Sequence, residues 1–498
     1  MNTSSVNSDR VRFYESAIRY RYGEGTTAEL GESLVQYLIN AVRSPSMTKA
    51  EAIRLILTDI SWAFGISAAT GSRCVLLLAH QSALKLKNRL LEEITEYARF
   101  VFMFQRTIAR LKTAEQKNNI LCIVPWLKTG GAERVMLNIA RSADKKGTAF
   151  HIMTTYPAAH EWQEEFRPHF QNIIIPVRKR MSAFIWKKYL HQAIKKLRID
   201  AVIITASHDA YKYLPKLRAA FDGVRTMDIL HFDSKSRTMD LMLVDPHPYL
   251  DRRVCISHNL RELMIKKYAR AGISPEYANR LLVVHNGIDI KAYSPNGRMR
   301  GAFRSRYGIP ADSKVISFVG RFVDQKKPLL FVEIALAVLR KLPGTKIHFI
   351  MAGDGPEFDN VRAAVDRQGL ADHITLTGSL SNVPDLLAET DLLLVTSAYE
   401  GIPLAVTEAM AMNVPVISTD VDAVGELIEN NRNGFLITPD DNVIGSFTAK
   451  IADLLTGKGD HRAITDRARK TVSGEYSLEA MGARYQKIFD DLLSVRTS

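Results

Sequence analysis

The sequence predicts an α/β protein built on two parallel β-sheets. From Asn119 onward, short apolar segments of strand type alternate with helical segments, which indicates βαβ units. The alternation occurs in two series, separated near Tyr293–Met299 by a segment rich in Ser, Pro, Asn and Gly. A chain of 498 residues is also too long for one ordinary hydrophobic core. We therefore expect two Rossmann-like domains, 117–293 and 294–476.

The strand and helix signals justify each series. The first begins with the buried strand type Ile120–Val124, followed by a turn at Gly130-Gly131 and a helix over Ala132–Ala143. The strand signals of the second series are Val315–Val319, Lys346–Met351, Ile374–Thr377, Leu392–Val395 and Val414–Ile417.

The two ends of the chain are expected to be helical. Residues 1–116 carry no strand signal, and the segment 477–498 contains a final helix, Leu478–Leu493. The N-terminal periodic segments are Leu34–Val42, Ala50–Ala63 and Ser82–Leu111.

The composition indicates a cytoplasmic globular protein. Hydrophobic residues make up 46% and charged residues 24% of the chain. Cys74, Cys122 and Cys255 match no metal or redox spacing, which favours a reducing compartment. The N-terminus has no apolar region of the secretory type. The apolar-leaning stretch Ile60–Ser72 is too short to span a bilayer.

The net charge of +14 favours acidic partners. No nucleic-acid-binding signature accompanies it, so nucleic acid is not an expected partner. The densest basic stretch, Arg178–Arg198, also carries interleaved apolar residues. Two interpretations stay open: an amphipathic helix on an anionic membrane surface, at the inner face of the plasma membrane, or an ordinary crossover helix before the strand Ala201–Thr205.

The segment Glu400–Glu408 places two carboxylates across a loop that enters a helix. It follows the apolar run Asp391–Val395, and helix is favoured over Leu404–Met412, with Pro403 in the first turn. The alternative is two glutamates that the helix dipole alone stabilises.

This geometry suits a sugar nucleotide. The first free backbone N–H groups, near Leu404 and Ala405, favour a bound phosphate. Glu408 could accept hydrogen bonds from both hydroxyls of a ribose, because an ionised carboxylate has only acceptor sites. Glu400 could then face the sugar.

Five motifs, taken together, resemble the family 4 retaining glycosyltransferases of the GT-B fold. The resemblance covers residues 118 to 490. It implies two Rossmann-like domains that face a cleft, with the last helix crossing back onto the first domain. The motifs are Gly130–Val135, Val283–Asp289, Phe318–Pro328, Met351–Pro356 and the Glu400/Glu408 pair.

The resemblance assigns catalytic roles to Arg321, Lys326, His231 and Glu400. Arg321 and Lys326 would bind the donor pyrophosphate, where fixed cations stabilise the charge that develops on the leaving group. His231 would contact the transferred sugar near its reacting carbon. Lys327 is either a second contact or a solvated side chain.

Two glycine turns are also expected near the donor. Gly131 follows Gly130 before a helix, where backbone N–H groups are exposed, but the turn lacks a dinucleotide fingerprint. Gly353 belongs to a turn, Gly353–Pro356, that borders the nucleotide or is purely structural.

Other polar residues carry weaker predictions. His208, His258 and His285 are weaker candidates for sugar contacts. Asp420-Val-Asp422 has the form of a metal-binding Asp-x-Asp, but in the family this segment leads to Gly425-Glu426, so neither a metal nor a cofactor beyond the donor is expected. Asn413 would adopt the left-handed conformation where the family commonly has glycine.

The resemblance implies transfer of a hexose from a UDP- or GDP-sugar to a glycan or lipid-linked acceptor, with retention of configuration, in surface polysaccharide biosynthesis. Acceptor attack would occur on the leaving-group face, and a donor phosphate oxygen would take the proton. Two alternatives stay open. One is a catalytically weak scaffold that docks partners through its N-terminal helices, and the other is a GT-B sugar-nucleotide epimerase.

Overall fold

The structure is a computed structural model of the chain. The described residues are 107–494, except 114–117, 129, 144–146, 157, 176–182, 232–242, 296–300 and 458–460, and near the start 8, 10–12 and 15. By its contacts the chain divides into two units, Met1–Leu111 and Lys112–Ser498.

The helices predicted for the N-terminal region lie almost entirely outside the described residues. Residues 107–110, at the end of the predicted segment Ser82–Leu111, are helical. The helical interpretation of residues 1–116 therefore stays a prediction.

The first half of the second unit is built on a sheet of seven parallel strands, in the order β3-β2-β1-β4-β5-β6-β7. Ile120 of β1 pairs with Phe150 on one side and Ala201 on the other. Such central strands are covered on both faces, which explains their continuous apolar sequence. The strands are β1 Asn118–Val124, β2 Thr148–Thr154, β3 Asn172–Ile174, β4 Ala201–Thr205, β5 Arg225–Leu230, β6 Arg252–Cys255 and β7 Leu281–Val283.

Helices connect these strands. Val135 and Ile139 of the first helix are buried in one core with Ile120 of β1. The helices are α1 Gly131–Ser142, α2 Gln163–Phe166, α3 Ala183–Leu197, α4 His208–Ala220 and α5 His258–Arg270, with 3-10 turns at His247–Tyr249 and Pro275–Arg280.

The second half repeats the arrangement with six parallel strands, in the order β10-β9-β8-β11-β12-β13. Their bounds are β8 Lys314–Val319, β9 Ile347–Ala352, β10 Ile374–Gly378, β11 Leu392–Val395, β12 Val416–Thr419 and β13 Phe435–Ile437. The strand order reverses between β1 and β4 in one sheet and between β8 and β11 in the other. Ligands of such sheets bind at the carboxyl ends of the strands beside this point.

The helices of the second half continue to the end of the described chain. They are α6 Ala302–Tyr307, α7 Pro328–Lys341, α8 Phe358–Arg367, α9 Val383–Glu389, α10 Leu404–Ala411, α11 Val424–Leu427, α12 Val443–Leu455, α13 His461–Glu475 and α14 Leu478–Ser494, with a 3-10 turn at Asp324–Lys326. None of the described helices combines the length and the apolar character needed to cross a bilayer.

The two predicted Rossmann-like sheets are confirmed, with small differences at element ends. The strand predicted at Val414–Ile417 is Val416–Thr419. Pro403, predicted in the first turn of α10, instead lies at its N-cap with extended backbone. Asn413 has the predicted left-handed conformation, with φ of +58°.

Two chain segments pass between the halves side by side. The Ile288 N–H donates to Tyr476 O at 2.9 Å, and the Leu478 N–H donates to Ile288 O at 2.9 Å. After this crossing α14 returns to the first half, where Tyr485 and Phe489 are buried in the same core as β1. The two segments that cross between the halves are therefore hydrogen-bonded to each other.

The basic segment predicted at Arg178–Arg198 lies partly outside the described residues, and its described part contains α3, Ala183–Leu197. Its apolar residues Trp186, Leu190 and Ile194 are buried, and the Trp186 ring contacts Tyr213 of α4 at 5.5 Å. These residues pack within the protein, which favours the crossover-helix interpretation over insertion into lipid. Lys195 is exposed, so an electrostatic contact with an anionic surface stays a prediction.

Candidate functional site

The turn after β9 lies directly against the loop after β8. Gly353 has φ of +149°, and a Cβ at this position would lie 1.8 Å from Gly320 O. The Phe322 N–H donates to Asp354 O at 2.9 Å. Only glycine permits this approach, and the contact fixes the loop that carries Arg321. Gly353 thus has a structural role, and its predicted donor contact stays a prediction.

Lys326 and Glu400 form an ion pair on this edge. The Lys326 ammonium donates to Glu400 Oε1, and the Ser397 hydroxyl donates to the same oxygen at 2.6 Å. The Glu400 side chain is 6% exposed and that of Lys326 is 22% exposed. Two residues predicted to meet the donor separately are therefore held together.

The backbone around Glu400 has further support. The Glu400 N–H donates to Asp422 Oδ2 at 2.9 Å, and Asp422 has a positive φ of +43°. Asp422 thus positions the loop of Glu400.

Lys327 is the N-cap residue of α7, with φ of +47°. Its ammonium donates to Asp324 at 2.7 Å.

Glu408 lies on the first turns of α10. The Tyr293 hydroxyl donates to Glu408 Oε1 at 2.6 Å. Burial raises the pKa of Glu408 to about 7, while Tyr293 and the charge of Arg134 oppose the shift. Within the described part of the chain, no hydrogen bond uses the N–H groups of Leu404 and Ala405. This helix start therefore has the free donors that the sequence predicted.

The glycine turn after β1 faces the second half. The Glu133 carboxylate lies over Gly130, with Oε2 2.2 Å from where a Cβ would stand. Burial raises the pKa of Glu133, and its own backbone, the Trp126 side chain and the charge of Arg321 lower it. Because Glu133 covers the start of α1, an anion at Gly131 would meet a carboxylate there.

Two arginines act on carboxylates of the opposite half, although burial has the larger effect on the pKa of both carboxylates. Arg321 acts on Glu133, and Arg134 acts on Glu408. The adjacent residues Glu133 and Arg134 of the first half thus face opposite charges of the second half, which brings the glycine turn next to the donor motifs.

His231 follows β5 directly. Its Nε2 lies 2.8 Å from the Thr205 hydroxyl oxygen. Burial lowers the pKa of His231 to about 4, so the ring is neutral at neutral pH. A Cβ at Gly401 would lie 2.9 Å from His231 O, so the loop after Glu400 touches the His231 segment. The structure brings these candidates of the two halves together.

The three weaker histidine candidates lie in two different places. His208 begins α4. His258 and His285 lie near Glu426, whose Oε2 accepts from the His258 N–H at 2.7 Å and whose Oε1 accepts from the Asn259 N–H at 2.5 Å. Glu426 of the second half thus caps α5 of the first half.

Sequence reasoning missed the supporting residues Ser397, Asp422, Tyr293 and Glu133. Glu133 lies inside a recognised motif, and an acid three residues after the glycine at a helix start could have identified it. Asp422 belongs to an Asp-x-Asp pattern that is not expected to bind metal, and the pattern gives no sign of its contact with the Glu400 backbone. Tyr293 lies 115 positions from Glu408, and no local pattern signals such a contact.

Comparison with known proteins agrees with this geometry. The family described as "Glycosyltransferase Family 4" matches residues 129–292, and "Glycosyl transferases group 1" matches residues 299–471. The two matches cover one half each and together about two thirds of the chain. The chain belongs to the family 4 glycosyltransferases of the GT-B fold.

Curated members of this family match over part of their length. The chain is 28% identical over 199 residues to alpha-D-kanosaminyltransferase of Streptomyces kanamyceticus, which is 39% of the chain and 49% of that protein. It is 27% identical over 191 residues to the Escherichia coli UDP-Gal:alpha-D-GlcNAc-diphosphoundecaprenol alpha-1,3-galactosyltransferase, 38% of the chain and 48% of that protein. The chain thus spans about half the length of these relatives.

A solved structure shows the same fold. The Anabaena protein Alr3699/HepE, crystallised in complex with UDP-glucose, superposes with a TM-score of 0.60 at 20% identity. The match covers 75% of this glycosyltransferase-family chain and 99% of the other.

Proposed function

We propose that the protein transfers a hexose from a UDP- or GDP-sugar, bound by the second half, to a glycan or lipid-linked acceptor, bound by the first half. The observation that carries the proposal is the Lys326–Glu400 ion pair, which lies on the same strand-end edge as Arg321 and the free N–H groups of α10.

The donor diphosphate would lie between Arg321, Lys326 and the start of α10. Two cations and free N–H groups form a preorganised anion site. Lys326 can exchange its contact with Glu400 for one with phosphate, or keep both, because an ammonium has three donors.

The nucleoside ribose would bind Glu408. Tyr293 already donates to Oε1, and within the described residues Oε2 accepts no hydrogen bond. Oε2 is then left for the ribose hydroxyls. We place UDP first among nucleotides, because the Anabaena structure holds UDP-glucose and the Escherichia coli relative is named for UDP-galactose.

Transfer would break the bond between the anomeric carbon and the donor phosphate oxygen and form one to the acceptor oxygen. The acceptor oxygen would attack the face from which the phosphate departs, which gives retention, and its proton would go to the departing phosphate oxygen. Arg321 and Lys326 would stabilise the charge that develops on the leaving group. Neutral His231 can donate and accept hydrogen bonds, so it would orient the transferred sugar beside Glu400.

The acceptor side would use aromatic surface. Trp126 and Tyr156 follow β1 and β2, are 37% and 52% exposed, and lie edge to face at 6.2 Å. Exposed aromatic rings beside Glu133 suit the apolar face of a sugar ring. A lipid-linked acceptor accords with the name of the Escherichia coli relative, and polysaccharide biosynthesis at the inner face of the plasma membrane would follow.

The cytoplasmic assignment has one further support. Cys122 and Cys255 are buried free thiols, as expected in a reducing compartment.

The scaffold alternative lacks a specific observation in its favour. The buried Glu400 keeps its cation, and a vestigial site would have no need to retain such a pair.

The test is release of free nucleotide from a panel of UDP- and GDP-sugars, with and without lipid-linked acceptors. We expect release from one donor only when acceptor is present. Nucleotide binding without turnover on any acceptor would support the scaffold, and conversion of the donor without acceptor would support an epimerase. Product NMR then reads the anomeric configuration, and an inverted product would exclude the retaining mechanism.

A further inference from the structure

His258, His285 and Glu426 form a cluster outside the proposed transfer chemistry. One ligand atom from each side chain lies within 4.8 Å of the others. The two histidines belong to the first half and Glu426 to the second. We propose that this cluster binds a divalent transition-metal ion, zinc in first place, and that the ion joins the two halves of the protein.

His285 is a buried residue whose nearest charged group, Glu426, lies too far away for a good hydrogen bond. Its side chain is 9% exposed, and neither ring nitrogen makes a hydrogen bond to any described residue. A buried polar group without a partner is destabilising. The ring stacks on Tyr476 at 4.7 Å with an interplanar angle of 13°, which fixes its direction. Coordination through Nε2 would satisfy this nitrogen.

The spacing of His285 and Glu426 fits a metal better than a hydrogen bond. Nε2 lies 3.5 Å from Glu426 Oε2, beyond the usual hydrogen-bond distance. Two ligands of tetrahedral zinc, each about 2.0–2.1 Å from the ion, lie about 3.3 Å apart. These two ligands therefore need little movement.

Glu426 is oriented as a ligand. Its oxygens accept the His258 and Asn259 backbone N–H groups, and an ionised carboxylate keeps further lone pairs for a metal. Metal-bound carboxylates commonly have such supporting hydrogen bonds.

The chemistry of the three ligating side chains indicates which class of metal ion would bind. Two imidazoles and one carboxylate are the ligands of open zinc sites, in which water takes the fourth position. Imidazole favours zinc, copper and nickel over magnesium and calcium. His258 is exposed, so the ion and the water can enter from solvent.

Such an ion would restrict the motion of the two halves relative to each other. It would link the loop after β7 and the start of α5 to α11, next to the crossing where Tyr476 pairs with Ile288. Bound zinc would thus restrain the opening of the halves without contacting Lys326 or Arg321.

The test is zinc binding to untagged, chelator-stripped full-length protein, measured by competition with a chromophoric chelator. We expect one equivalent of zinc, with affinity at least 10-fold weaker in His258→Ala and Glu426→Gln and unchanged in His373→Ala, which removes another exposed histidine. Cobalt substitution should give the visible absorption of a tetrahedral site. Zinc should also raise the Tm of the wild type but not of His258→Ala.

Wild type and His258→Ala with equal zinc affinity would overturn the proposal, as would the absence of stoichiometric binding. His258→Ala changes an exposed side chain, so it decides the question even if Glu426→Gln, which loses a helix cap, folds poorly. Near-ultraviolet circular dichroism checks that each variant is folded.

Discussion

The two halves share a topology but hold their candidate residues in different ways. In the second half Lys326, Ser397 and Asp422 all contact Glu400, so charge and hydrogen bonds fix one another. In the first half His231 is a neutral ring held by one hydroxyl, and Trp126 is an exposed aromatic. A charged network suits a diphosphate that is common to many donors. Neutral and aromatic surface suits an acceptor that differs between relatives.

The largest loss of kcat is expected from substitutions in the charged network around Glu400. Lys326→Ala removes a cation at the leaving group and leaves Glu400 without its partner, so kcat should fall about 10²–10³-fold. Arg321→Ala should act in the same direction. Steady-state kinetics at saturating donor measure both variants, and Lys346→Ala, an exposed lysine paired with Asp312, is the control. Wild-type turnover in Lys326→Ala would contradict the claim that the charged network of the second half stabilises the leaving group.

A smaller loss of kcat is expected from substitution of His231 in the first half. His231→Ala should lower kcat by roughly 10²-fold, the lower end of the range for loss of one positioned hydrogen bond to the transition state, with the Kd for donor unchanged. Because burial lowers the pKa of His231 to about 4, the ring stays neutral above pH 5, and its titration should not appear in the rate profile at higher pH. Weakened binding of UDP, which lacks the transferred sugar, would instead place His231 at the nucleotide.

Glu408 should report on donor affinity. Glu408→Gln should weaken UDP binding by about 1–3 kcal/mol, because the ribose hydroxyls lose an ionised acceptor. Burial raises the pKa of Glu408 to about 7 in the folded protein, so the carboxylate becomes ionised as pH rises through 7. Wild-type affinity should therefore increase from pH 6 to pH 8 relative to Glu408→Gln, measured by calorimetry. Parallel pH profiles for the two proteins would contradict the ribose assignment.

The sequence predicted the second half better than the first for a physical reason. Apolar runs identify five of its six strands, and its site residues fall just after strand ends, where α/β sheets bind ligands. The strands β3, β7 and β13 have only three residues each, too few for periodicity to identify. Contacts such as Tyr293–Glu408 and Lys326–Glu400 join positions distant in sequence, so only the fold reveals them.

The smallest effect is expected at the aromatic surface. Trp126→Ala should raise the KM for acceptor about 5-fold, as expected for the loss of roughly 1 kcal/mol of ring contact, and leave the Kd for UDP unchanged. Tyr249→Ala, another exposed aromatic of the first half, is the matched control. A rise in the Kd for UDP, or an unchanged KM for acceptor, would show that Trp126 is not an acceptor contact.

Hydrogen exchange tests most directly whether the second half binds the nucleotide and the first half binds the acceptor. Exchange of the full-length protein is measured by mass spectrometry with and without saturating UDP. We expect the strongest protection in peptides that cover 320–327 and 397–408, because the nucleotide would engage the free N–H groups of Leu404 and Ala405 and the loop of Lys326. Peptides that cover 148–156 and 225–231 should change little with UDP, because UDP lacks both the transferred sugar and the acceptor. Protection by UDP that is confined to the first half, or absent at 397–408, would contradict the account.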